Sequence, residues 1–316
     1  MNDRLVGLVP CLPPGIHPGM DAFAAGLRAS LAAEDLSLEI ESADLRDDEP
    51  TVRQGWAIDA LVERGAAAVV LFAVCLTEPG KAVAAARAAG VPVVTIHHSA
   101  MPVDAPLIVP NFAHGIALAA ALRDGIRHRE IPMHPIPRVG VVGPPDILDD
   151  LEFIHGILFG LEQTGLLAVN DPLDPRYRNL DDVAGRGTAP VEAVLDDHDD
   201  LAGLVVFNDE TLRDALPVLG ERGLLGRLPV VSRNGSPEIV AAVARGEVHA
   251  TFDYQLPELG HAAGRLVRAV LSGEIAIGHA ETAPVGRVID RENADSYRPW
   301  EERVSPLGLV DTGGPP

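Results

Sequence analysis

Residues able to hold a polar molecule recur in this sequence at one kind of place, just after a short apolar run. His97-His98 follows the run 91–96, and Asn208-Asp209-Glu210 follows 204–207. Ser232-Arg233-Asn234-Gly235 closes the run 228–231, and Asp253-Tyr254-Gln255 closes 250–252. Amides, carboxylates and neutral imidazoles both donate and accept, so this set suits reversible hydrogen bonding to a small polar solute. His17, in a loop rich in proline, and His155, four residues before Phe159 on one helical face, extend the inventory. Plainer roles stand beside these: His17 facing solvent in its loop, one of His97 and His98 only closing a strand, and His155 packing half-buried.

Sites of covalent or metal chemistry have less support. The chain has no Gly-x-Ser-x-Gly elbow and no GxxxxGK phosphate loop, and neither HExxH nor CxxC occurs. Neighbouring side chains such as His97 and His98 diverge on an extended backbone, which argues against a shared metal. No metal and no cofactor is therefore expected, and no residue is assigned a catalytic role. Cys11 and Cys75 each follow an apolar run and read as free thiols.

The elements that must position these groups alternate. Runs at 5–10, 38–42, 65–72, 90–96, 138–143, 204–207 and 228–231 have the branched aliphatic character of buried strands, and helix-spaced stretches separate them. Met20, Phe23, Leu27 and Leu31 space out as one helix face. Ser236-Pro237-Glu238 opens another helix with a capping hydroxyl and a proline at its first position. Asn111 and Asp209 read as caps of the helices that follow them. Strand-helix alternation predicts a parallel sheet covered on both faces, with ligands at the carboxyl ends of the strands. Residues 170–187, acidic and poorly periodic, read as a surface excursion.

Length and charge narrow the class further. A chain of 316 residues holds two α/β lobes, and composition alone would cut it once, near 131–137. The formal charge is -21 and Lys81 is the lone lysine, a surface that repels phosphate backbones, so direct nucleic-acid binding is not expected. No uninterrupted apolar stretch is long enough to span a membrane. Residues 1–4 lead straight into the first strand without the pattern of a secretory leader.

The order GVPVVTI (90–96), FNDE (207–210), SRNG (232–235), ATFDYQ (250–255) and PELG (257–260) resembles the type I periplasmic sugar-binding proteins. These are ribose- and galactose-type receptors, related also to the core of lactose-repressor-like regulators. The resemblance implies two Rossmann-like lobes with parallel-sheet cores joined by a three-segment hinge. It places residues 1–109 plus 254–281 in the first lobe, 110–253 plus 282–310 in the second, and a flexible tail at 311–316. It implies a non-catalytic, monomeric solute receptor of an ABC transporter, closing by hinge motion around a sugar, polyol or sugar-derived acid. The membrane permease would be its partner, and it would be extracytoplasmic once a leader is removed. The alternatives are a cytoplasmic ligand-sensing regulator without a DNA-binding module and, behind it, an enzyme on the same fold.

Carried over position by position, the resemblance implies ligand contacts at His17, Met20, His97, His98, His155, Asn208, Asn234, Asp253, Tyr254 and Gln255. The chain departs from the pattern in four places, one of them His155, which stands where relatives carry a ligand-binding arginine. Gly19 and Met20 stand where relatives carry aromatics, leaving Trp56, Phe72 or Tyr254 as replacements. His97-His98 replaces an Asp-Arg pair, and Asn234 replaces an aspartate. A cleft rich in imidazoles would take a neutral polyol or an anion, with affinity dependent on pH.

Overall fold

The computed structural model describes residues 4–304 apart from 45, 47, 134 and 184. Strands and helices alternate as the apolar pattern predicts, except where β4 leads directly to β5 and β11 to β12. The chain opens with β1 (Arg4–Val9), α1 (Pro18–Ala32), β2 (Leu36–Ile40), α2 (Pro50–Glu63), β3 (Ala68–Phe72), α3 (Gly80–Ala88), β4 (Val93–Ile96) and β5 (Ala105–Ile108). It continues through α4 (Asn111–His128), β6 (Arg138–Val142), α5 (Leu148–Thr164), β7 (Leu167–Ala168), α6 (Thr188–Asp197) and β8 (Gly203–Val206). Next come α7 (Asp209–Glu221), β9 (Val230–Asn234), α8 (Pro237–Ala244), β10 (Ala250–Asp253) and α9 (Leu256–Ser272). The chain closes with β11 (Glu281–Thr282), β12 (Arg287–Asp290) and α10 (Trp300–Arg303).

These elements form two compact units, and each is built on one six-stranded sheet. Among the described residues unit 1 comprises 4–109, 256–284 and 298–304, with strand order β11-β5-β4-β3-β1-β2. All its pairings are parallel. Unit 2 comprises 110–255 and 285–297, with order β12-β10-β9-β8-β6-β7, parallel except where β12 runs against β10. The two-lobed α/β class read from the sequence is the one observed.

The chain passes from one unit to the other after Val109, Gln255, Pro284 and Tyr297. The last passage corrects the assignment of 282–310 to the second lobe. Residues 298–304 return to unit 1, where Arg303 of α10 donates to both carboxylate oxygens of Glu258 on α9 at 2.7 Å. Residues 305–310 and the expected tail 311–316 lie outside the described residues. The single cut near 131–137 is also corrected, because that segment merely links α4 to β6 inside unit 2.

Helices cover both faces of each sheet. In unit 1 one core gathers Val9, Ile58, Leu61, Val69, Leu71 and Val83 beneath α2 and α3. In unit 2 one core gathers Leu118, Val141, Phe153, Ile157 and Phe207 beneath α4 and α5, and the other gathers Val206, Leu212, Leu219 and Val243 beneath α7 and α8. With cores on both faces, the polar groups of each sheet are left for the strand ends.

Candidate functional site

In both sheets the strand order reverses beside the first strand of the unit, between β1 and β3 in unit 1 and between β6 and β8 in unit 2. Helices leave from opposite faces there, which opens a crevice at the carboxyl ends of the strands. The two rims are built differently.

At the unit 1 rim the switch point is closed by Gln54 of α2, a residue the sequence reading passed over. It is fully buried, its Nε2 donates to the carbonyls of Phe72 (2.8 Å) and Pro10 (3.3 Å), and its Oε1 accepts from the Val74 N–H. His17 is the N-cap of α1, its Nδ1 accepting from the Met20 N–H at 3.2 Å, and both side chains are buried. His97 is buried in a left-handed conformation (φ 76°), edge-on to Phe72 with ring centroids 4.8 Å apart, and Phe72 in turn meets Phe23. His98 is exposed. The turn that ends β4 thus separates the two imidazoles, one ring buried and one in water. Trp56 lies 57% exposed on α2 with the Arg53 guanidinium 4.9 Å from its ring.

The unit 2 rim holds a denser polar set. Asn208, not Asp209, is the N-cap of α7: its Oδ1 accepts from the Thr211 N–H at 3.0 Å, and its Nδ2 donates to Asp182 at 2.7 Å. Asn234 ends β9 at φ 122°, a conformation that side chains rarely adopt, and its Nδ2 donates to Glu210 at 2.7 Å. Asp253 accepts from the Gln255 N–H at 3.0 Å, and Gln255 is itself left-handed at φ 57°. Gly235 lies so close to Asp253 that an added Cβ would fall 2.6 Å from its Cα. Asn208, Asn234 and Asp253 are all buried.

Three further groups complete this rim. Asp209 is buried and accepts from the hydroxyls of Ser232 and Thr251 and from the Ser236 N–H, tying β9, β10 and the start of α8 together. Burial and the neighbouring Glu210 raise its pKa to about 7, against the pull of those donors. Arg233 of β9 is ion-paired with Asp150, and its Nη1 is 3.9 Å from Asp149, both at the start of α5. Tyr254 is buried, its hydroxyl donating to Asn111 at 2.9 Å, so Asn111 serves inside α4 and does not cap it. Burial, with Asp149 adding to it, holds the Tyr254 phenol well above its ordinary value.

The excursion expected at 170–187 runs mostly along the surface but turns polar side chains inward. Its Asn179 and Asp182 are buried against α7, where Asn179 donates to Thr211 and Asp182 orients Asn208. His155 sits on the exposed face of α5, one turn before exposed Phe159. A cavity of about 730 Å³, lined by Ala121, Asp124, Arg129, His249 and Asp290 among others, lies at the amino end of this sheet, away from the rim. Among the described residues no group of three or more His, Cys, Asp or Glu side chains is placed to hold a metal ion, and no helix is long and apolar enough to cross a membrane.

No curated protein matches the sequence. Solved structures with the same fold include an ABC transporter periplasmic solute binding protein from Actinobacillus succinogenes with bound D-allose, at TM-score 0.79 and 15% identity over 93% of this chain and 100% of that one. An ABC transporter solute binding protein from Mycobacterium smegmatis with bound glycerol gives 0.77 and 20% identity, covering 93% and 96%. One from Bacillus halodurans with bound myo-inositol gives 0.76 and 14%, covering 93% and 97%. The sequence itself matches the periplasmic binding protein domain over residues 12–275, from the loop after β1 to the end of α9 and just beyond. With that match spanning most of its length, the chain belongs to the periplasmic binding protein domain family.

Proposed function

We propose that this protein is the solute receptor of an ABC-type importer, acting outside the cytoplasm and handing a small polar ligand to a membrane permease without altering it. The ligand class is a sugar, polyol or sugar-derived acid. The observation that carries this reading is the way the rims are built. His97, Asn234 and Gln255, at or just beyond the ends of β4, β9 and β10, are non-glycine residues held at positive φ. Such conformations cost about 1–3 kcal/mol each and persist where function requires a side chain in that place. At Asn234 the strain comes with an amide whose orientation Glu210 fixes, beside Asn208, whose amide Asp182 fixes. Oriented amides at a strand end are pre-organised to read hydroxyls.

Titration calorimetry against D-allose, myo-inositol, glycerol and D-gluconate tests the reading. Saturable binding of at least one, with the ligand recovered unchanged, is the expected result. Asn234→Gly, which accepts the backbone angle but removes the amide, should weaken that binding at least tenfold while the protein still melts cooperatively. Silence from the whole panel, or conversion of a ligand, would count against a receptor of this class.

A further inference from the structure

Arg233 is the least satisfied charged group of the unit 2 rim. Its side chain is 5% exposed, and the guanidinium lies between two aromatic rings, 4.6 Å from the centroid of Phe153 and 5.0 Å from that of Tyr254. Nη2 donates to Asp150, whereas Nε and Nη1 have no hydrogen-bond partner among the described residues. A buried N–H without an acceptor costs about 1–3 kcal/mol, more on a charged group, so two on one side chain call for an explanation. Asp149 lies 3.9 Å from Nη1, inside electrostatic range and outside hydrogen-bond range. Both carboxylates are buried at the amino end of α5, and Arg233 directly precedes Asn234 on β9.

We propose that Arg233 is the specificity-determining residue of this receptor, and that its site selects neutral polyhydroxylated solutes over sugar acids and amino sugars. The inference rests on the receptor reading above and names the ligand class within it. A hydroxyl can accept from a guanidinium N–H and donate its own proton to a carboxylate at the same time. A ligand carboxylate would accept from Arg233 but meet the charges of Asp149 and Asp150. A ligand ammonium would suit those two carboxylates but leave the Arg233 donors without an acceptor. Adjacent hydroxyls on one ring satisfy both sides. The arginine stays in register because the flanking rings hold its plane and Asp150 holds one end of it.

The test uses the full protein with D-allose and myo-inositol, each compared with its singly deoxygenated analogues, and with D-gluconate and D-glucosamine as charged probes. For whichever parent binds, removal of one of two adjacent hydroxyls should weaken wild-type binding about 100-fold, as for a lost hydrogen bond to a charged group. The two charged probes should bind at least tenfold more weakly than that parent. Arg233→Gln should weaken the parent about 100-fold and flatten the discrimination at those two positions. A role confined to structure predicts uniform weakening with discrimination intact, and that result overturns the proposal, as does preference for either charged probe. If Arg233→Gln does not fold, nitrogen-15 labelling of the wild type decides. The Arg233 Nε–H signal, shifted by its flanking rings, should move on addition of the parent; an unmoved signal overturns the proposal. Binding of none of the probes removes the receptor reading and this inference together, whereas binding without hydroxyl discrimination removes this inference alone.

Discussion

At Asp209 burial and hydrogen bonding act in opposite directions. Three donors favour the carboxylate, but complete burial and the adjacent Glu210 outweigh them, so the folded protein keeps a proton there up to a pH of about 7. In the unfolded chain the group titrates near 3.9. Between those values the folded state binds more protons than the unfolded state, so this residue's contribution to stability falls as pH rises from about 4 through 7 and is lost above that. Urea unfolding at pH 5, 6, 7 and 8 should show it as a stability difference between wild type and Asp209→Asn that shrinks by a few kcal/mol across the series. A difference independent of pH would mean that Asp209 is ionised throughout. The same residue shows why Asn208 carries the cap: Asp209 points into the sheet to join Ser232 and Thr251, which leaves its neighbour to close α7.

Between elements, glycines set the helix spacing in the same way in both units. In unit 1 an added Cβ on Gly26 of α1 would fall 2.1 Å from the Pro257 carbonyl, and one on Gly260 of α9 would fall 2.1 Å from that of Phe23. In unit 2 the equivalents are Gly115 of α4, 2.3 Å from the Phe153 carbonyl, and Gly156 of α5, 2.1 Å from that of Phe112. These contacts are backbone to backbone, so no side chain can yield. Gly260→Ala and Gly156→Ala should each destabilise by about 2–3 kcal/mol through forced separation of the helix pair. Gly55→Ala is the control: its new Cβ would make only ordinary contacts, with the Pro79 Cβ at 3.5 Å and the Ala82 Cβ at 3.7 Å, and helix propensity should add about 0.5–1 kcal/mol of stability. Chemical denaturation of the three variants checks both signs. Gly156→Ala should also weaken ligand binding, because moving α5 carries Asp149 and Asp150 away from Arg233.

For the molecule as a whole, 46 acidic residues against 25 basic ones mean that folding gathers like charge. Self-repulsion of this kind is screened over about 10 Å at 0.1 M salt. The melting temperature should therefore rise by a few degrees between 10 mM and 300 mM sodium chloride in a buffer that binds no ligand. A melting temperature that falls with salt would show that surface ion pairs such as Arg64 with Glu39 and Glu41 outweigh the repulsion. Because the proposed ligand is neutral, its affinity should change little over the same range.

What the sequence determined by itself is what short stretches of chain determine locally. Apolar runs such as 68–72 marked the strands, and Ser236-Pro237 marked the start of α8. The polar residues after the runs marked the rims, because a strand end and a helix start are each a matter of a few neighbouring residues. The repeated alternation was enough for the two-sheet class. The order of rim motifs was enough for the family resemblance. What tertiary structure alone decided is how those polar groups pair. Arg233 meets Asp150 across 83 positions, Asn208 meets Asp182 across 26, and Gln54 reaches the ends of two strands from a helix whose periodicity gives it no special mark. The same holds for His97 and His98, adjacent in sequence yet placed one in the core and one in water by the left-handed turn after β4. Composition records which groups can bond. Whether a buried donor keeps its acceptor, or waits for a ligand to supply one, depends on the long-range packing that brings distant segments together.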